Sequence, residues 1–231
     1  MPGERLLRIL AQLSAGGDPT WGPAHLCAVC ADVAAMSGAG IMLISGDMPG
    51  SSVCTTNEVS ALIEDLQYTL GEGPCLDAFH QDRPVLEPDL ADPATPRWLA
   101  FTPPALEAGA RAVFGFPLEV GAVRLGALNL YRDRPGPLSE DQYADALVLA
   151  DVAARAVLGM QAEAPPGTLA PELEVDANLR LVVHQASGMV AAQLGISVGE
   201  ALVRLRAHAF AQDRLIADVA KEVVERRLRF E

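Results

Sequence analysis

The chain has 231 residues, and half of them are hydrophobic, which is ample for a packed core and excludes disorder over most of the length. No apolar run approaches the roughly 18 residues that a membrane span requires. The charged N-terminal stretch, with Glu4, Arg5 and Arg8, is unlike a secretory signal. We therefore expect a cytoplasmic protein without a membrane partner, built from one average domain and a smaller one.

The net charge of −13 is unevenly distributed along the chain. Residues 1–175 contain 9 basic and 23 acidic residues, a net charge of −14, whereas residues 176–231 contain 8 and 7, a net charge of +1. Arg226, Arg227 and Arg229 lie together at the end of this second part. The distribution permits modest nucleic-acid contact by the C-terminal part, although a strongly basic patch is absent from the sequence.

The hydrophobic pattern of residues 1–161 alternates between the periods of helices and strands. The predicted elements, in chain order, are helices over 4–13 and 21–36, a hairpin of strands over 41–44 and 51–56, helices over 57–68 and 74–79, a strand over 84–86, a proline-rich loop over 88–104, strands over 113–120 and 123–131, and a helix over 139–161. The strand over 123–131 lacks polar alternation, which is typical of a central strand covered on both faces.

The helix over 139–161 is predicted to begin with a capping box, Ser139-Glu140-Asp141-Gln142. The helix has the 4-3-4-3-4 spacing of a coiled coil at Tyr143, Leu147, Ala150, Ala154, Val157 and Gln161. We therefore expect a homodimer through one or both long helices. We also expect this helix to pack against the helix over 21–36 on one face of an antiparallel sheet. The contacts expected there join Leu26 or Val33 to Leu147 or Ala154.

Residues 162–175 are rich in proline and glycine and are predicted to be a linker between a domain over 1–161 and a domain over 176–231. The second domain is predicted to contain a helix over 177–194, a helix that begins with the capping box Ser197-Val198-Gly199-Glu200, and a third helix capped by Asp213. About 55 residues form a marginal core, so this bundle is expected to pack on a partner.

The cysteines and the acidic residues do not form a catalytic or metal-binding pattern. Cys27 and Cys30 have CxxC spacing, but a second ligand pair is missing and the motif is predicted to lie within a helix. We expect all four cysteines to be reduced thiols, and we interpret acidic pairs such as Glu64-Asp65 as solvent-facing. The sequence therefore predicts no enzyme, no metal site and no cofactor.

The first domain contains six short motifs, which are Leu70–Phe79, Pro84–Leu86 with Asp89-Leu90, Arg97-Trp98, Gly109–Val113, Phe116–Leu118 and Leu125–Tyr131. Together they resemble the GAF domains of actinobacterial GAF–ANTAR regulators. The resemblance implies an α+β fold, in which a GAF-type antiparallel sheet flanked by helices is followed by a small three-helix bundle. It also implies a small-molecule pocket, for which the candidate residues are Cys54, Cys75, Phe116 and Asn129.

The second domain contains a further series of motifs, which are His184–Val190, Glu200–Leu202, Leu205–Phe210, Leu215 and Asp218–Ala220. Together they are similar to the ANTAR signature. The resemblance implies transcription antitermination, in which an ANTAR dimer binds hairpin loops of a nascent mRNA leader. The RNA-contacting candidates are Gln185, Ser187, Gly188, Arg204, Arg206, His208 and Arg214.

One position departs from the family pattern. Many ANTAR domains have a lysine where this chain has Ser187, so a phosphate-contacting cation is missing. We expect position 187 to be exposed, RNA affinity to be lowered, and Ser187→Lys to tighten binding.

Two other functions are compatible with the sequence. The first is a small-molecule or redox sensor whose C-terminal helices mediate only dimerisation or protein contact, which the small net charge of the tail favours. The second is a DNA-binding regulator, but the middle tail helix, with Ala201, Ala207 and Ala209, offers few side chains that could contact base edges.

Overall fold

The computed structural model describes residues 2–15, 22–45, 48–92, 97–162, 164–165, 168, 170–173, 177–212 and 214–231. The chain divides into two units, one formed by Met1–Tyr68 and Glu72–Val175 and the other by Thr69–Gly71 and Asp176–Glu231. No single helix in the described ranges is long and apolar enough to span a membrane; one pair bent by 105°, Leu181–Leu194 with Val198–Ala211, reaches that length and composition only when taken together.

Helices and strands of the first unit follow the predicted order closely. They are α1 (Pro2–Ser14), α2 (Pro23–Ala34), β1 (Gly38–Ser45), β2 (Met48–Thr55), α3 (Glu58–Leu70), α4 (Pro74–Gln81), β3 (Val85–Glu87), α5 (Thr102–Glu107), β4 (Ala112–Val120), β5 (Val123–Arg132) and α6 (Glu140–Ala162). The short helix α5 begins inside the predicted loop over 88–104. Pro103 and Pro104 lie in its first turn, where the missing N–H groups have no helical partner to lose.

The strands form one five-stranded antiparallel sheet in the order β2-β1-β5-β4-β3. The predicted hairpin of β1 and β2 is confirmed, as is the central position of β5, which has β1 on one side and β4 on the other. The fold class is α+β, as predicted.

Helices α2 and α6 pack together on one face of the sheet, as predicted, and with it they enclose the main hydrophobic core. Leu26 and Ala154 both belong to this core, and Gln142 Nε2 donates a hydrogen bond of 3.0 Å to Ala34 O. Leu147, the other residue expected at this contact, is 42% exposed and does not belong to the core. Ser139 and Gln142 form the predicted capping box through two bonds of 3.1 Å.

The expectation that all cysteines are reduced thiols is wrong. Cys27 on α2 and Cys54 on β2 form a disulfide with a Cα–Cα distance of 6.1 Å, because the helix packs directly on this edge strand. Cys30 and Cys75 are buried free thiols, and burial raises the pKa of Cys30 to about 12. Both members of the CxxC motif therefore lie in the core, where one is bonded and the other is a neutral thiol.

The second unit consists of α7 (Ala177–Leu194), α8 (Val198–Ala211) and α9 (Ile216–Val224). The capping box of Ser197 and Glu200 is confirmed, and Gly195 has the left-handed φ of +66° that ends α7. Val198 is 47% exposed, so its predicted burial is wrong. The predicted cap Asp213 lies outside the described residues, and Leu215 occupies the N-cap position of α9. The core of the bundle consists of Val183, Ala186, Val190, Ala201, Leu202, Leu205, Ala209, Ile216, Val219, Ala220 and Val223.

Part of the predicted linker is packed against the first unit. Pro171–Leu173 forms a single 3-10 turn, and Ala170 and Leu173 are buried in the main core. These four residues therefore belong structurally to the sheet domain.

Candidate functional site

The face of the sheet opposite α2 and α6 carries a buried polar cluster. Helix α4 covers part of this face, where Leu76 and Phe79 pack on Met42 and Ile44. Beside this apolar contact lie four completely buried or nearly buried polar or thiol side chains. They are Glu64, Gln67, Cys75 and Asn129.

Asn129 lies in the middle of the central strand and is 0% exposed. Neither its Oδ1 nor its Nδ2 has a hydrogen-bond partner among the described residues. A buried polar group without a hydrogen-bond partner lowers the stability of the fold by roughly 1–3 kcal/mol. A polar ligand or a water molecule that bonded to the Asn129 carboxamide would therefore be stabilising.

Glycines on both neighbouring strands allow two helices to approach the sheet beside Asn129. Gly40 on β1 and Gly115 on β4 are its cross-strand partners. A Cβ atom at Gly40 would lie 2.8 Å from Glu64 Oε1, and one at Gly115 would overlap the backbone of Pro74. A side chain at position 115 would therefore displace α4 from the sheet, whereas one at position 40 would displace the side chain of Glu64.

The Cys75 backbone N–H donates a hydrogen bond of 2.7 Å to Gln67 Oε1. Burial raises the pKa of the Cys75 thiol well above its usual value, and the negative charge of Glu64 raises it further, while a hydrogen bond with Gln67 opposes both effects. The thiol is therefore neutral near pH 7, and a neutral thiol is a poor nucleophile. The cluster is suited to hydrogen bonding and not to covalent chemistry.

A network of carboxylates holds the loop after the undescribed residues 93–96 against this part of the fold. Asp77 Oδ2 accepts hydrogen bonds from Arg97 Nη2 at 3.0 Å and from Trp98 Nε1 at 3.1 Å. Glu72 Oε1 accepts from the backbone N–H groups of Ala100 and Phe101 at 2.7 and 2.9 Å. Glu72 and Asp77 therefore fix this loop to the region around α4.

The predicted pocket residues are divided between the two faces of the sheet. Cys75 and Asn129 belong to the polar cluster, whereas Cys54 and Phe116 lie in the main core on the opposite face. Glu64 and Gln67 were missed, and the expectation that Glu64 faces solvent is wrong because it is 1% exposed. The sequence did contain a signal for these two residues. Glu64 and Gln67 are three positions apart on one predicted helix, and Glu64 directly follows the apolar Ile63.

Helix α7 presents one continuous exposed stripe. Its members are Leu181, His184, Gln185, Gly188 and Ala192, which are spaced as one face of a helix. Ser187 lies on the other side and is 0% exposed, with its Oγ donating a 2.8 Å hydrogen bond to Val183 O. The expectation that position 187 is exposed is therefore wrong, because the side chain is buried beside Val183.

The candidate residues of α8 lie on two different flanks of the helix. Arg204 and His208 are four residues apart and share one flank, whereas Arg206 is two residues from each and projects from the other. Arg214, after α8, is paired with Glu222 of α9 through bonds of 2.9 and 3.2 Å. This pairing raises the pKa of Arg214 and lowers that of Glu222. Gln185, Gly188, Arg204 and His208 are at least partly exposed; Ser187 is not.

The fold of the first unit is similar to that of solved GAF domains. The chain aligns with the GAF domain of a phosphoenolpyruvate-protein phosphotransferase from Coxiella burnetii at a TM-score of 0.51 and 15% identity, covering 69% of this chain and 96% of that one. The GAF domain of an Acinetobacter phosphoenolpyruvate-protein phosphotransferase gives a TM-score of 0.50 and 14% identity, covering 70% and 96%. A search of curated proteins gave no match.

Two protein families match the chain in succession. The GAF domain matches residues 24–157, which contain the sheet and the polar cluster, and the ANTAR domain matches residues 172–224, which contain the three C-terminal helices. Both are sensory and regulatory domains, as opposed to catalytic ones. The chain therefore belongs to the GAF domain family and carries an ANTAR domain after its GAF domain, which makes it a signal-regulated ANTAR regulator.

Proposed function

We propose that this protein is a transcription antitermination regulator that binds hairpin loops of a nascent mRNA leader through its ANTAR domain. The observation that carries the proposal is the exposed stripe of α7, because His184, Gln185 and Gly188 of the ANTAR signature lie side by side on it. Residues that only stabilised the bundle would be buried, as Ala186 and Val190 are.

The chemistry of this stripe fits an RNA loop. Gln185 offers a carboxamide for an exposed base edge, and Gly188 allows close approach to a sugar–phosphate backbone. Arg204 and His208 add donors from one flank of α8. We assign Ser187 to helix packing, and we expect smaller contributions from Arg206, on the opposite flank, and from Arg214, which is engaged by Glu222.

In the same proposal, the GAF domain senses a small polar molecule at the cluster around Asn129. Nδ2 of Asn129 can donate up to two hydrogen bonds and Oδ1 can accept up to two, so the ligand should itself carry both donors and acceptors. The signal is then transmitted without covalent chemistry. We also propose that the protein acts in the cytoplasm as a homodimer. Its interface lies outside the coiled-coil positions of α6, because Ala150, Ala154 and Val157 are buried in the main core.

The test is filter binding of the full chain to a two-hairpin RNA, to the same RNA with its loops replaced by paired bases, and to an unstructured RNA of equal length. We expect clear preference for the looped hairpins, and at least a fivefold loss of affinity in Gln185→Ala. Gln12→Ala is the matched control, because Gln12 is an exposed glutamine on α1. Equal binding to all three RNAs with an intact circular dichroism spectrum would refute the proposal and favour the alternative, a sensor with a dimerising tail.

A further inference from the structure

The segment after α9, Arg226–Phe230, forms a compact turn that we term the arginine turn. Arg226 has a left-handed φ of +61°. Its N–H donates to Val223 O at 3.0 Å, and the N–H of Arg227 donates to Glu222 O at 2.8 Å. This pair of bonds is the Schellman arrangement that reverses the chain at a helix end.

The backbone at position 226 would be less strained with glycine than with arginine. Glycine is the usual residue at this point of a Schellman turn because a side chain is strained in the left-handed region. The chain uses Gly195 for the same purpose at the end of α7, with a φ of +66°. Ala35 after α2 and Asp82 after α4 also have a left-handed φ, so this conformation alone does not indicate a function for Arg226.

The arginine turn concentrates positive charge on the surface. Arg226, Arg227 and Arg229 are all exposed, and the turn contains no acidic residue. Arg227 forms an ion pair with Glu225. Within the described parts of the chain, Arg226 and Arg229 have no carboxylate at ion-pair distance. Two guanidinium groups are therefore available for an external anion.

The turn is tied to the flank of α8 that carries the proposed RNA contacts. The Phe230 N–H donates a 3.0 Å hydrogen bond to Gln193 Oε1 on α7. The Phe230 ring packs on the His208 ring with centroids 5.1 Å apart. Because Arg204 lies one helical turn before His208 on the same flank, the arginine turn extends a surface that already contains a cation and a half-buried ring pair.

We propose that the arginine turn is a second part of the RNA-binding surface, in which Arg226 and Arg229 contact backbone phosphates of a hairpin loop and the Phe230 ring supports a stacked base. This inference rests on the proposed function and adds residues to it, because the ANTAR match ends at residue 224. RNA is favoured over an acidic protein as the partner because exposed guanidinium groups beside an aromatic ring match the phosphates and splayed bases of a loop.

The experiment is a salt series of filter-binding measurements on the full chain with the two-hairpin RNA. Each lost phosphate contact should lower the slope of log affinity against log salt by about 0.7. The double variant Arg226→Gly with Arg229→Ala should therefore reduce the slope by about 1.4, which amounts to roughly a 25-fold loss at 0.1 M salt if affinities converge at 1 M. Phe230→Leu, which keeps an apolar side chain, should weaken binding at least fivefold with little change in slope.

Two controls separate this inference from the function on which it rests. Arg155→Ala removes an exposed arginine of the GAF domain and should leave the slope unchanged. The thermal midpoint of Arg226→Gly should be equal to or higher than that of the wild type, because glycine suits the backbone there. If Gln185→Ala loses affinity while the double variant keeps the wild-type slope, the arginine turn is not an RNA contact, although the RNA-binding function stands. If the wild type shows no preference for looped hairpins, both proposals fail.

Discussion

Gly188→Ala should stabilise the protein and weaken its binding to RNA. Gly188 lies in the interior of α7, is exposed, and a Cβ atom there would meet no other atom within 4 Å. Alanine in place of glycine inside a helix contributes about 0.5–1 kcal/mol, mainly because the unfolded chain loses conformational freedom. For a chain of this size that corresponds to a rise of roughly 1–4 °C in the thermal midpoint.

The same methyl group projects from the stripe that we propose to face RNA. A backbone that approaches Gly188 closely would be displaced by the methyl group, and we expect at least a tenfold loss of affinity, or about 1.4 kcal/mol. Gly159→Ala is the matched control, because Gly159 is an exposed glycine inside α6 whose Cβ would also meet no atom within 4 Å. It should be stabilised to a similar extent without any change in RNA affinity.

Calorimetry and filter binding measure the two effects independently. A Gly188→Ala protein that is more stable and binds RNA as the wild type does would refute close approach at this position. A less stable Gly188→Ala protein would instead show that the surroundings of α7 are crowded, contrary to the open space found there.

Ser187→Lys should destabilise the C-terminal bundle by several kcal/mol, because the ammonium group would be placed where the serine side chain is 0% exposed. Urea unfolding followed by circular dichroism measures this change, and unchanged stability with tighter RNA binding would refute the expectation. Cys54→Ser should lower the free energy of unfolding by about 3.5 kcal/mol, the loop-closure value for the 27-residue separation of Cys27 and Cys54. A reducing agent should destabilise the wild type by a similar amount and leave this variant unchanged. Thiol titration of the unfolded wild type without reductant should give two free thiols; four would rule the disulfide out.

Local sequence determined most of the secondary structure. Helix α7 has the predicted bounds, and the capping boxes at Ser139 and Ser197 are both present. Such features depend on residues three or four positions apart, so a short window of sequence contains the donors, acceptors and apolar periodicity that decide them. The central position of β5 was also predictable, since a strand covered on both faces lacks polar alternation.

Tertiary structure decided which distant residues meet. The disulfide of Cys27 and Cys54 depends on α2 packing on an edge strand, and the separation of Cys54 and Phe116 from Asn129 depends on strand order and register. A shift of one residue in register moves a side chain to the opposite face.

Burial of individual polar residues was likewise settled only by the packed fold. Glu64 and Ser187 are polar in sequence, but the helix faces that carry them turn inward, because the neighbouring apolar residues must be buried. The arginine turn is a further case: its charges were evident from the sequence, whereas the left-handed Arg226 and the contact of Phe230 with His208 bring them beside α8. Periodicity and capping patterns thus determined the elements, and the resemblance of sequence motifs indicated the two families, while contacts between elements determined which side chains are buried and which are exposed.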